Sequence, residues 1–193
     1  MAALQYPQSV MTERRRIRVD DFKPRDQPAP APADEAPSDC ACPRLEPDDW
    51  HNVENDWTDI AFVRGNTNAV LGVPVGYDTA KSALGAKAAK LGLTVPDDAM
   101  LLLGAGKFRR PIMLEVEGAR PGARDVFFPG GIAHTWLVDA PWGDMQRVVD
   151  EAREAATERH GRKPDDLWIW YLTCRQCSRE RNFETLVIAH YRE

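Results

Sequence analysis

Within this 193-residue chain one run of signals occurs twice in the same order, and that repetition restricts the fold more than any other feature. The clearer copy spans residues 131–192. Its opening, Ile132-Ala133-His134-Thr135-Trp136-Leu137-Val138, is rich in strand formers and predicts a strand. Beyond the turn Pro141-Trp142-Gly143, the apolar residues Met145, Val148, Val149, Ala152 and Ala156 recur at three- and four-residue steps, the period of a helix with one buried face. Gly161 ends that helix, because glycine tolerates the left-handed backbone in which helices commonly stop. Pro164-Asp165-Asp166 then turns the chain into a strand over Leu167–Leu172, and a polar loop returns it through Thr185–His190.

The upstream copy repeats these signals. Asn68–Val75 is apolar, Gly76-Tyr77-Asp78 is a turn suited to starting a helix, and Ala80, Leu84, Ala88 and Leu91 form the helical stripe that Gly92 closes. Pro96-Asp97-Asp98 precedes the strand-like Ala99–Leu103, and the turn Gly104-Ala105-Gly106 leads to a strand over Pro111–Glu117. Three matching punctuation marks at nearly constant offset favour duplication of one strand-helix-strand-strand unit. The expected fold is therefore α+β, with repeats at about 66–118 and 131–192 inside a single domain covering 40–193.

Residues 1–39 read as a tail. Arg14-Arg15-Arg16 is a small basic cluster, and the Pro/Ala-rich run from Pro24 to Pro37 has too little apolar surface to order itself. The arginines are read first as solvated charge and alternatively as an arm for a protein partner. The segment 43–62 carries Trp50, Val53 and Trp57, which share a face if helical, and is expected to cover the repeated unit. A net charge of −5 excludes a general nucleic-acid binder. No apolar run is long enough to span a bilayer, and the amino terminus lacks the apolar core of a signal peptide, so a cytoplasmic location is expected.

All four cysteines fall into two close pairs, Cys40/Cys42 and Cys174/Cys177. Two such pairs complete a four-thiolate site, and the expected cofactor is a structural zinc with no open coordination position. An iron–sulfur cluster, a Cys174/Cys177 redox pair and uncoordinated thiols are the alternatives.

Among the remaining residues, the strand period sets Ile112, Leu114 and Val116 on one face and Met113, Glu115 and Glu117 on the other. Glu115 is a candidate general base if a groove buries it, and otherwise a solvated strand carboxylate. His134 and Trp136 share a face, as do Trp168, Trp170 and Leu172, with Ile169 and Tyr171 opposite. Rings with polar edges suit a cleft wall, and each also suits a core. Tyr77 and Trp142 hold equivalent places before the two helices. No serine stands in a nucleophile elbow, and Gly104 and Gly106 read as a hairpin turn rather than a phosphate loop.

The turns Val75-Gly76-Tyr77-Asp78 and Ala140-Pro141-Trp142-Gly143-Asp144, each placed before the helix of a repeated unit, make residues 60–192 resemble the gyrase-inhibitor-like (GyrI-like) small-molecule-binding family. The resemblance implies one antiparallel sheet with two helices on one face, related by a pseudo-twofold, and an aromatic-lined groove along the seam. It implies ligand contacts from Tyr77, Trp142 and Tyr171, to which the strand pattern adds Trp136 and Trp170. The family's glutamate position holds Ile169 here, and the paired cysteines are an addition. The function implied is stand-alone binding of an aromatic or electrophilic small molecule. The alternatives are a small hydrolase using Glu115 or His134 to activate water in the same groove, and a zinc-stabilised accessory subunit of a larger enzyme. An effector domain of a transcription regulator is disfavoured, since the tail lacks the pattern and charge of a helix-turn-helix.

Overall fold

The computed structural model describes residues 16–17, 42–70, 73–174 and 177–192. In chain order its elements are β1 (Arg16–Ile17), α1 (Pro47–Trp50), β2 (Val53–Asp56), β3 (Ala61–Val70), β4 (Val73–Val75), α2 (Tyr77–Lys90), β5 (Leu101–Gly104), β6 (Arg109–Val116), β7 (Val126–Phe127), β8 (Ile132–Asp139), a 3₁₀ turn (Trp142–Asp144), α3 (Met145–His160), β9 (Asp166–Tyr171), α4 (Cys177–Glu180) and β10 (Glu184–Tyr191). The strands form one sheet in the order β1-β2-β8-β10-β9-β5-β6-β3-β4, with β7 also paired to β3, and every described pairing is antiparallel. The mixed α+β class and the antiparallel sheet agree with the sequence.

At the centre, β5 meets β9 through Leu103 opposite Ile169 and Gly104 opposite Trp168. To one side β9 pairs with β10 and β10 with β8; to the other β5 pairs with β6 and β6 with β3. Gly104 is required there, because a Cβ would stand 2.6 Å from Pro111 and 3.0 Å from the Trp168 ring. Gly106 turns the following hairpin, where a Cβ would lie 2.1 Å from the Arg109 carbonyl oxygen.

The two long helices, α2 and α3, pack on one face. The α3 stripe read from the sequence is buried throughout: Met145, Val148, Val149, Ala152 and Ala156 lie against Ile169, Val187, Ala189 and Tyr191 of the sheet. Its end is a left-handed Gly161. On α2, Leu84 and Ala88 are buried and Leu91 is exposed. Leu84 comes so close to β3 that a Cβ on Gly65 would lie 3.1 Å from it.

The opposite face carries Phe62, Leu102, Met113, Trp168, Trp170, Leu186, Ile188 and His190, all buried. It is covered by the segment leading from Cys42 to Ile60. Trp50 meets Trp170 edge to face at 6.2 Å, and Trp57 stacks on His190 at 5.1 Å while touching Phe62. The cover is not one helix as its apolar spacing predicts. Asn52, with φ of 58°, turns the chain out of the short α1 and into β2.

A second difference concerns the start of the first unit. The apolar run Asn68–Val75 is a hairpin, the end of β3 folding back as β4, with the Thr67 hydroxyl donating to the Val75 carbonyl at 2.9 Å. The stretch Arg64-Gly65-Asn66 hid the long strand, because its side chains suit loops. In the sheet Arg64 and Asn66 are exposed and Gly65 accepts the close approach of α2.

Trp57 is 1 % exposed between Phe62 and His190. Trp57→Ala is therefore expected to lower stability by about 3–5 kcal/mol, read as a shift of the urea midpoint without a change of slope.

Candidate functional site

The sheet divides the residues that the sequence singles out. Glu115 and His134 are on opposite faces, and their strands β6 and β8 are separated by β10, β9 and β5. Four strand spacings place them about 19 Å apart, so no single water touches both. Glu115 is buried on the face away from the helices, where its Oε2 accepts the Met100 N–H at 3.0 Å. Trp170 lies on that same face against Trp50. Trp142 opens the 3₁₀ turn before α3, and Cys40 lies outside the described residues.

On the helix face, Tyr77 at the start of α2 meets Tyr171 edge to face at 6.1 Å over the central strands. The Tyr77 hydroxyl donates to the Leu101 carbonyl at 3.4 Å, and buried Arg110 donates from Nε to the Gly104 carbonyl at 2.6 Å. Burial raises both phenol pKa values; for Tyr77 the neighbouring Tyr171 phenol and the Asp78 carboxylate add to it, and Arg110 opposes the rise at both. Neither phenol ionises at neutral pH. Leu101, Leu103 and Ile169 beneath them are almost fully buried, so this seam is filled by the protein's own side chains.

A denser group of polar side chains stands at the β2–β8 edge. In the ladder Glu54 lies directly opposite His134, which puts both on the helix face, and the last residue of α3, His160, reaches the same point. Ligand atoms of Glu54, His134 and His160 lie within 4.8 Å of one another. His134 is 1 % exposed, and its Nε2 lies 2.9 Å from Asn52 Oδ1. An amide oxygen only accepts, so Nε2 carries the proton and Nδ1 bears the lone pair. Among the described residues, that Nδ1 and Nε2 of His160 are buried without a hydrogen-bond partner. Trp136 packs on His134 with centroids 4.1 Å apart, Tyr191 packs on His160 at 4.2 Å, and Arg159 Nε donates to Glu54 Oε1 at 2.8 Å.

Burial, with the positive charges of Arg159, His160 and His51, pushes His134 down to about 3. Burial also lowers His160, against the pull of Glu54. His134 is thus neutral across the physiological range, an available ligand but a weak proton acceptor. From sequence, His134 was visible as a candidate. Glu54 and His160 were not, since only the ladder register and the length of α3 bring them to it.

The third constellation is sulfur. Cys42, Cys174 and Cys177 place their Sγ atoms within 4.8 Å of one another. The Cys174 N–H donates to Cys42 Sγ at 3.1 Å and the Cys177 N–H to Cys174 Sγ at 3.5 Å. Backbone N–H groups aimed at sulfur stabilise thiolates. Zinc–sulfur bonds of about 2.3 Å hold sulfurs about 3.8 Å apart, so the group closes on an ion with a small adjustment.

An antiparallel α+β domain with polar clusters at two margins of its sheet is compatible with several classes of protein, and the family comparison narrows them. A family model described as bacterial hydrolase matches residues 32–190. The chain belongs to this bacterial hydrolase family. No curated protein matches its sequence. The match overturns the GyrI-like resemblance, which rested on a turn aromatic before each helix. Such turns follow from joining a strand to a helix and do not define one family; Ile169 at the expected glutamate position and the added cysteines were the departures that mattered. Among the described residues no helix is long and apolar enough to cross a membrane.

The depressed histidine has a consequence for stability. An unfolded His134 binds a proton below about 6.5, whereas the folded one does so only near 3, so its contribution is intact above pH 6.5 and is lost as pH falls. Without added metal, the urea midpoint should drop between pH 6.5 and 4.5, above the range of ordinary carboxylates. In His134→Leu that part of the pH dependence should flatten.

Proposed function

We propose that this protein hydrolyses a small molecule and that its reaction centre is the Glu54, His134 and His160 group at the joint of α3 with the β2–β8 edge. The observation that carries this reading is the pair of buried, unpartnered imidazole nitrogens facing one carboxylate. Membership of a hydrolase family supports it. Buried polar atoms without partners are costly, by about 1–3 kcal/mol each, and their concentration at one place is typical of sites that bind a reactant. Glu54 and His160 keep 15 % and 19 % of their side chains exposed, which leaves an approach from solvent with His134 as the floor. Arg159, fixed on Glu54, supplies positive charge where an oxyanion develops during attack on a polarised carbon. Trp136 and Tyr191 give apolar walls that suit a small organic substrate.

The filled Tyr77/Tyr171 seam is given a structural role, and stand-alone binding there is set aside in favour of hydrolysis. The two units are read as copies of one ancestor about a pseudo-twofold. In support, each pairs its first strand with its last and its last with its middle, and the two middle strands meet at the centre. We also propose that Cys42, Cys174 and Cys177 hold a structural zinc. The sequence offers Cys40, two residues before Cys42, as the fourth ligand. Reduced thiols of this kind fit the cytoplasm.

On a panel of chromogenic esters and lactones, the wild-type protein should turn over at least one compound. His134→Gln should lower kcat/KM by roughly 100-fold or more, while Glu115→Gln should change it less than about threefold. Full activity in His134→Gln would remove this centre. Separately, at least one equivalent of zinc should copurify with the reduced protein, and Cys42→Ser should release one equivalent and lower the thermal midpoint. A protein that binds neither zinc nor iron would end the thiolate assignment.

A further inference from the structure

We propose that Glu54, His134 and His160 form a three-ligand site for a divalent first-row metal ion, zinc foremost, distinct from the thiolate group. This rests on the reading of that cluster as the reaction centre and says how the water there is activated.

The ligand set follows from the fold. Residues facing each other in an antiparallel ladder point to the same side, so Glu54 and His134 converge, and α3 stops where its last side chain overhangs them. Two imidazoles and one carboxylate are the ligands of many hydrolytic zinc centres, in which three protein ligands leave a fourth position open. Ligands at about 2.0–2.2 Å from an ion stand about 3.3 Å apart, so atoms already within 4.8 Å need only a modest contraction.

The partners of each ligand also match. A metal-binding histidine is oriented by a hydrogen bond from its other nitrogen, and Asn52 provides this for His134, leaving Nδ1 buried and without a hydrogen-bond partner among the described residues. His160 Nε2 is 3.7 Å from Glu54 Oε1, too far for a hydrogen bond, and has no other partner among the described residues. Arg159 on Glu54 Oε1 corresponds to the hydrogen bond that a ligating carboxylate usually receives. A purely structural role leaves two buried nitrogens without partners; an ion satisfies both together.

Such an ion lowers the pKa of a bound water to near 7. The hydroxide formed by loss of a proton adds to the electrophilic carbon. The bond to the leaving group then breaks with its electron pair, and the leaving group departs with the proton the water gave up. His134, as a ligand, needs no basicity of its own.

The test uses full-length reduced protein stripped by a chelator and titrated with Co²⁺ and, in parallel, with Zn²⁺. Cobalt on thiolates gives strong sulfur-to-metal charge-transfer absorption, whereas cobalt on imidazole and carboxylate gives visible bands without it. The proposal expects two classes of bound metal, with the imidazole ¹⁵N resonances of His134 and His160 shifting as the second class fills. His160→Ala, at a partly exposed helix end, and Glu54→Gln should each weaken the second class at least tenfold and leave the thiolate class intact. Unmoved imidazole resonances after the thiolates are saturated would overturn the metal site. Ester hydrolysis persisting in that protein, and abolished by His134→Gln, would still uphold the reaction centre. Metal bound by both imidazoles in a protein that hydrolyses nothing on the panel would uphold the site and defeat the hydrolase reading.

Discussion

The pairing of β5 with β9 is the constraint on which the rest depends. It is short, Leu103 and Gly104 against Ile169 and Trp168, yet it joins two three-stranded groups into one continuous sheet. The geometry there leaves no latitude on the face away from the helices. Pro111 and the Trp168 ring occupy the space a Cβ on residue 104 would need. A larger residue would separate β5 from β9 or displace the tryptophan, and every residue placed by the sheet's register would move with it.

A continuous sheet has two faces, and each must be covered. The helices cover one with aliphatic side chains. Among the described residues the other receives no helix of comparable length and is met by the stretch from Cys42 to Ile60, whose Trp50 and Trp57 pack on Trp170 and His190. This is the face to which β9 turns its two tryptophans, Trp168 and Trp170. Glu115 is buried on this same face, where its carboxylate accepts the Met100 amide.

Sequence periodicity made α3 legible residue by residue, because its buried stripe is interrupted by charged positions at every turn. The strands β8, β9 and β10 were legible for the complementary reason, a density of aromatic and branched residues. β3 was obscured by Arg64, Gly65 and Asn66, residues chosen by neighbours on other elements, which local pattern does not contain. The candidate site was legible only in His134. Glu54 sits in a stretch whose apolar spacing mimics a helix, and His160 looks like a solvated helix end. Their convergence on His134 is a product of register and helix length, quantities that exist only once the sheet is assembled.

The amino-terminal segment links the two polar clusters mechanically. It begins at Cys42, beside the β9–β10 connection, where the Pro43 carbonyl accepts from Arg181, itself paired with Glu184. It then crosses under the sheet through Trp50 and emerges as Asn52 and Glu54 at the opposite edge, where Asn52 sets the His134 tautomer and Glu54 contributes the carboxylate. The Thr135 hydroxyl fastens the crossing, its single proton within reach of the Trp50 carbonyl at 2.8 Å and the Val53 carbonyl at 3.1 Å. Because Asn52 is held in a left-handed conformation, small displacements of the segment cannot be absorbed there without strain. Whatever fixes Cys42 therefore also limits how far Glu54 moves from His134 and His160. The sulfur cluster thus stands at one end of a strap whose other end brings Glu54 to the two imidazoles.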